Sequence, residues 1–447
     1  MRFGKMPDLS QVDWFDSPEQ LTPNIIKLRI RRMASHLKTA VPMSRLIHWG
    51  EPDVSLKLAM DLGIKIRRRE THVSLNCLLA NLYQVSTLGQ TDVMSISLNN
   101  NSYRTDPRAN PLGVKDSISK YVTALANSNQ VTKHTGYHDR TGREKSRNTA
   151  LVLSDPMIDS LLEHELPNVE TPEIEPIRWV IRNDKHRYIP QNFVPTDLPN
   201  HAQRYRGILL DYNDFIRSHK VTVSRPNVRE FHDCIAFHIK YYGEDLAMHS
   251  RVSGGRFQFM RKELRRSYLQ INGEKTVEVD IAESHPTILH ALAGKPLGGD
   301  LLGKSYWLTD SEPDDSVRDA TKVAIACMLN TNSRSTATSA ITHSENMGEI
   351  DLPETLTTKM FVEKILERHP SLKPYFFKSE SGMRAMEQEG KLMLDVMHWG
   401  MNSSVPVLPL HDALICRESD AERVSQALQE AAQRVLGTSL TISIKRE

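Results

Sequence analysis

Two apolar strands, each ending in an aspartate, constrain this chain most. Thr276-Val277-Glu278-Val279-Asp280-Ile281 is the first, followed by Glu283-Ser284-His285-Pro286. The second is Val407-Leu408-Pro409-Leu410-His411-Asp412-Ala413-Leu414-Ile415, introduced by Val405-Pro406. Between them, Arg318 to Asn330 reads as a helix on which Arg318 and Lys322 share a face. Alone, a strand-end aspartate is an ordinary turn or cap residue. Alone, two cations on a helix are a solvated face. Together, two strand-end carboxylates and a cationic helix are the groups that two-metal phosphoryl transfer from a nucleoside triphosphate uses.

Length and composition set the frame. A chain of 447 residues has room for two to three domains. Apolar residues at 39% and charged residues at 25% describe an ordinary globular protein. A net charge of +2 excludes a polybasic nucleic-acid coat, so any nucleic-acid site is a local basic patch. Cys77, Cys234, Cys327 and Cys416 are far apart, with neither zinc spacing nor a disulfide framework. A reduced, cytoplasmic setting is expected. The start, Met1-Arg2-Phe3-Gly4-Lys5, lacks the apolar core of a signal peptide, and no apolar run would span a bilayer, so no membrane partner is expected.

The pattern divides the chain into sections. Residues 1–71 read as a helical region broken by prolines, with basic runs at Ile25–Met33 and Lys65–Arg69 that are solvated faces or phosphate contacts. Residues 72–164 read as a winged-helix-like module. A helix begins at His72, and a second over Gly113–Leu125 buries Val114, Ile118, Tyr121, Val122 and Leu125. Strands at Gln130–His134 and Ala150–Leu153 follow, and then a helix over Pro156–Leu162. The turn between the strands carries Arg140, Arg143, Lys145 and Arg147, which suit a wing on DNA phosphates; a structural or protein-contact role is the alternative. Residues 165–199, rich in proline, read as a linker. Residues 200–250 read as two thumb-like helices, Asn200–His219 and Asn227–Met248.

Residues 251–447 hold the chemistry. Ser253-Gly254-Gly255-Arg256-Phe257 lets backbone approach closely and puts an arginine where it can reach a phosphate or groove. Pro286 fits the first turn of the helix after Asp280, and Gly294 fits its end. The order of Gly-Arg-Phe, Asp-bearing strand, Arg-xxx-Lys helix, His-Asp strand, helix and final strand resembles the palm and fingers of family A DNA polymerases. Single-subunit phage RNA polymerases share that core.

The resemblance implies an α+β fold: a right-hand palm, with an antiparallel sheet and helices, plus helical fingers. It implies that Asp280, Asp412 and the Ile281 carbonyl bind two Mg2+, with Mn2+ an alternative. Arg318 and Lys322 would grip the incoming nucleoside triphosphate, beside His285, Ala326 and Asn330. Arg256 would lie in the primer–template minor groove and His411 at the primer end. The implied function is a DNA polymerase extending a primer on DNA, in replication or repair of a mobile element, phage or plasmid. No paired acidic exonuclease motifs stand in residues 1–250, so proofreading is not expected.

The sequence departs from the family at four places. Ala326 replaces an aromatic, Asn330-Thr331 replaces Tyr-Gly, Ala413 replaces a frequent Glu, and His285 stands where DNA polymerases carry the acid that excludes the ribose 2′-OH. The last keeps an RNA polymerase or primase open, although the bulk of His285 favours dNTPs. A non-catalytic DNA-binding replication protein is the rival from another class.

Overall fold

The computed structural model describes residues 40–446 except 45–46, 65–71, 90, 99–109, 116, 137–147, 165, 183–187, 227–229, 296, 298–300, 302, 310, 312 and 345–356. The basic runs at 25–33 and 65–69 and the arginines Arg140, Arg143 and Arg147 lie outside the described residues.

The first unit is a sheet wrapped on one buried helix. Its elements are β1 (Val41–Pro42), α1 (Pro52–Asp61), α2 (His72–Leu88), β2 (Val93–Ile96), α3 (Ile118–Asn127), β3 (Val131–His134), β4 (Thr149–Leu153) and α4 (Asp155–Glu163). The strand order is β1-β2-β4-β3. Helix α2 is buried on every side from Ser74 to Leu88, so its polar residues need internal partners. Asn76 supplies one set: its side chain accepts from the Trp49 N–H and donates to the Trp49 carbonyl. On α3 the apolar stripe Ile118, Tyr121, Val122 and Leu125 is buried, with Val114 just ahead of it.

The middle of the chain departs from expectation. Residues 165–199 contain β5 (Ile177–Arg182) and β6 (Tyr188–Pro190), not a bare linker. After α5 (Asn200–Arg217) come β7 (Val221–Val223), β8 (Phe231–His232), β9 (Ile239–Tyr242) and β10 (Met248–His249). Among the described residues, the helix expected over 227–248 is therefore absent. Phe231, Ile235, His238 and Tyr242 do recur at helical spacing, but Ile239 and Tyr241 are fully buried at a spacing of two. Pairing β9 with β5 and β10 buries that alternate set, and tertiary burial overrides the helical period.

The last section carries two cores. The sheet runs β13-β14-β12-β11-β7-β8, with β15 also on β12. Its C-terminal members are β11 (Leu269–Ile271), β12 (Glu274–Ile281), β13 (Val407–Leu410), β14 (Ala413–Arg417) and β15 (Ile442–Lys445). Since β7 and β8 belong to this sheet, it begins well before residue 251. One apolar core joins it to α5, α11 (Ser381–Asn402) and α12 (Ala421–Leu436). A second core lies among α7 (Ser284–Leu292), α8 (Asp315–Leu329), α9 (Arg334–Thr342) and α10 (Thr358–Arg368). A short helix, α6 (Lys262–Tyr268), turns the chain into β11 and puts Arg265 and Arg266 on the buried Glu278 of β12. The fold is mixed α+β. No helix among the described residues is long and apolar enough to cross a membrane.

Candidate active site

Strand pairing brings the two aspartates together. β12 lies antiparallel to β14 with Asp280 opposite Ala413. Strands β13 and β14 form a hairpin in which Leu410 pairs with Ala413, leaving His411 and Asp412 as its two-residue turn. Asp412 thus sits on the turn rather than within a strand. His411 takes the left-handed conformation, with φ 57°. The Ile281 N–H donates to the Asp412 carbonyl at 3.1 Å, fixing the turn against the end of β12. Burial raises the Asp412 carboxyl above the usual range, and the charges of Glu389 and Asp280 push it further the same way. Asp280 is paired with the ammonium of Lys445, which reaches over from β15.

A buried carboxylate lies behind this pair. Glu389 on α11 is fully enclosed. It accepts from the Ser284 hydroxyl and the Arg251 Nε, each at 2.5 Å, and its Oε1 lies 3.3 Å from His285 Nε2. Burial alone would raise its pKa; the hydrogen bonds and charges of His285 and Arg251 outweigh that and hold it at about 2. His285 is therefore a partner of Glu389, and Arg251 Nη2 lies 3.2 Å from the same imidazole nitrogen. Burial and the Arg251 charge lower His411 from the usual imidazole value, against an opposing pull from Glu389.

The opposite wall is cationic. Helix α8 starts at Asp314, whose side chain accepts from the Val317 N–H at 2.8 Å. One turn on, Arg318 and Lys322 face the ring of Tyr306, 5.9 Å and 5.7 Å from its centroid. Lys322 also pairs with Asp319 at 3.1 Å. The Tyr306 hydroxyl is raised by burial and then by the charges of Glu283 and Asp412. Below Lys322, an open cleft of about 550 Å³ runs past Ala326 and Asn330, with Ala340 of α9 on its far side.

The donor set fits a hard divalent cation. Among the described residues no three His, Cys, Asp or Glu side chains converge as a ready-made metal site. Mg2+ does not need one, since it is held by one or two carboxylates and completed by water and substrate phosphates. Burial and the charges of Glu389 and Asp280 raise the Asp412 carboxyl, and Asp280 already bears an ammonium, which marks a place of negative potential that a cation relieves.

Arg256 is elsewhere. Its side chain is 5% exposed and is bonded to the Pro42 carbonyl, Gln84 and Asn81 of the first unit. Its guanidinium therefore fastens two parts of the protein together and does not line the cleft. The glycines beside it serve the same packing. A Cβ on Gly254, at φ +151°, would fall 2.2 Å from the Ala236 carbonyl oxygen.

Sequence reasoning missed four residues of the site. Glu389 was legible: Ala385, Glu389, Leu392 and Val396 recur at helical spacing, so an acid stands in an apolar stripe. Arg251, Tyr306 and Lys445 left no local signal, because each is brought in by tertiary packing.

No family profile matches the sequence, and no curated protein matches it. Among solved structures it is similar to the POL domain of Pol1 from M. smegmatis, determined with DNA primer-template and dNTP. The two are 12% identical, with 92% of this chain and 80% of that chain covered and a TM-score of 0.27. A likeness at that score carries neither fold nor function, and the assignment rests on the geometry of this chain.

Proposed function

We propose that this protein is a template-directed nucleic-acid polymerase, extending a primer 3′ end with nucleoside triphosphates, and a DNA polymerase in preference to an RNA polymerase. The observation that carries the reading is the pairing of Asp280 with the Asp412 turn opposite Arg318 and Lys322. The carboxylates are anchored by strand hydrogen bonds, the cations by a capped helix. A triphosphate gripped by the cations would present its reacting end to the acids.

Asp280, Asp412 and the Ile281 carbonyl would hold Mg2+, which when bound activates the primer hydroxyl and neutralises the triphosphate. Arg318 and Lys322 bind the outer phosphates and absorb the charge that develops on the leaving pyrophosphate. Glu389 keeps His285 and Arg251 in place beside the turn. The imidazole of His285 supplies bulk near the nucleotide, which favours dNTPs with weaker ribose exclusion than a carboxylate would give. The first unit, with its helices and β3–β4 hairpin, is proposed to contact duplex DNA.

Primer extension with Mg2+ tests the reading, offering dNTPs and NTPs separately on DNA and RNA templates. Incorporation of dNTPs is expected. A preference for NTPs would move the assignment to an RNA polymerase, and no incorporation with any pair would remove it. Lys322→Ala should lose about 3 kcal/mol of transition-state stabilisation.

A further inference from the structure

We propose that Tyr306 occupies the seat of the outer phosphates in the free protein and leaves it when the nucleotide binds. The inference rests on the polymerase reading and adds a residue to it.

Three observations carry it. The ring lies against Arg318 and Lys322 at once, 5.9 Å and 5.7 Å from its centroid, so it covers both groups assigned to the phosphates. Burial raises its hydroxyl, and the charges of Glu283 and Asp412 add to that rise, so both carboxylates are within electrostatic reach of the ring. A polyphosphate gripped by both cations needs the place beside them that the ring fills. Ring and ligand exclude each other.

The backbone beside the ring is pinned. The Ser305 N–H donates to Glu283 at 2.9 Å, and the Ser305 carbonyl accepts from His369 Nε2 at 2.8 Å. Ser305 is fully buried. Tyr306, which also packs against the second apolar core, therefore leaves by rotating its side chain while the backbone beside it stays in place.

The energetics favour exchange. A ring offers a cation only its quadrupole, at about two- to fivefold per contact where water has access. Phosphate oxygens make charge-assisted hydrogen bonds with the same groups, which are stronger. Tyr306 therefore divides the affinity of every anion for this seat by one factor, about tenfold for two contacts. A nucleoside triphosphate still enters.

The test is calorimetric titration of the full chain with inorganic tripolyphosphate, free of divalent ions. Tyr306→Ala should bind it about tenfold more tightly than the parent, and Tyr306→Phe, which keeps the ring, should match the parent. Circular dichroism checks that both variants fold. Equal or weaker binding by Tyr306→Ala overturns the role of Tyr306 alone. Failure of both parent and Tyr306→Ala to bind tripolyphosphate overturns the seat itself, and with it the polymerase reading. If Tyr306→Ala does not fold, Tyr306→Phe decides: tighter binding than the parent overturns a role carried by the ring, and parental binding supports it.

Discussion

Lys445, on the last strand, lays its ammonium on the carboxylate of Asp280. It is a resident counter-charge where a divalent cation would bind, and the two compete for the same oxygens. Lys445→Met should tighten Mn2+ binding about fivefold, roughly the 1 kcal/mol of a partly exposed pair. Electron paramagnetic resonance of free Mn2+ measures it. Weaker binding would show that Lys445 assists the metal.

Removing either acid is the direct probe of the chemistry. Asp280→Asn and Asp412→Asn should each cost about a thousandfold or more in incorporation rate, the several kcal/mol a metal supplies. Each keeps its strand register, so duplex binding should survive. Single-turnover incorporation and a filter-binding assay separate the two.

Arg256 should prove structural. Arg256→Ala takes the guanidinium donors from Gln84 and the Pro42 carbonyl and one of two donors from the Asn81 amide oxygen, and should destabilise the protein by about 3 kcal/mol. Lysine cannot span those acceptors as a guanidinium fork does, so Arg256→Lys should rescue little. Urea denaturation reads both.

Asp233 gives a dependence on pH. Burial raises its carboxyl to about 6 from a usual 3.8, although the N–H groups of Arg256 and Phe257 donate to it and partly offset the shift. The folded value lies above the unfolded one, so its stabilising contribution is complete below pH 3.8 and lost as pH rises through about 6. Asp233→Asn should therefore gain stability relative to the parent between pH 5 and 7, on the order of 1 kcal/mol. Unfolding midpoints at the two pH values test it, and an unchanged difference would refute the shift.

Local patterns predicted much of this molecule. The strand of Asp280 and the helix of Arg318 and Lys322 were legible because apolar periodicity and charge spacing are local, whereas the turn at His411-Asp412 reads as part of one continuous strand. The stripe on α3 was legible for the same reason. The segment 227–248 was not. Its stripe Phe231, Ile235, His238 and Tyr242 satisfies a helix, and only the neighbouring strand β5 decides that Ile239 and Tyr241 go inside together. The same limit explains Arg256, whose position beside two glycines suggested an open contact. Its partners Asn81 and Gln84 lie on α2, far back in sequence, and no spacing rule connects them.

The hairpin that bears Asp412 has no slack. Its turn holds two residues, one of them left-handed at His411, and the strands on either side are paired to the ends. The position of Asp412 is thus set by covalent connectivity more than by side-chain packing. Gaining or losing one residue there would shift β14 against β12 by one step and turn every side chain of the strand to the opposite face. Substitutions can alter the groups around this turn one at a time, but a change in its length would dismantle the core and the site together.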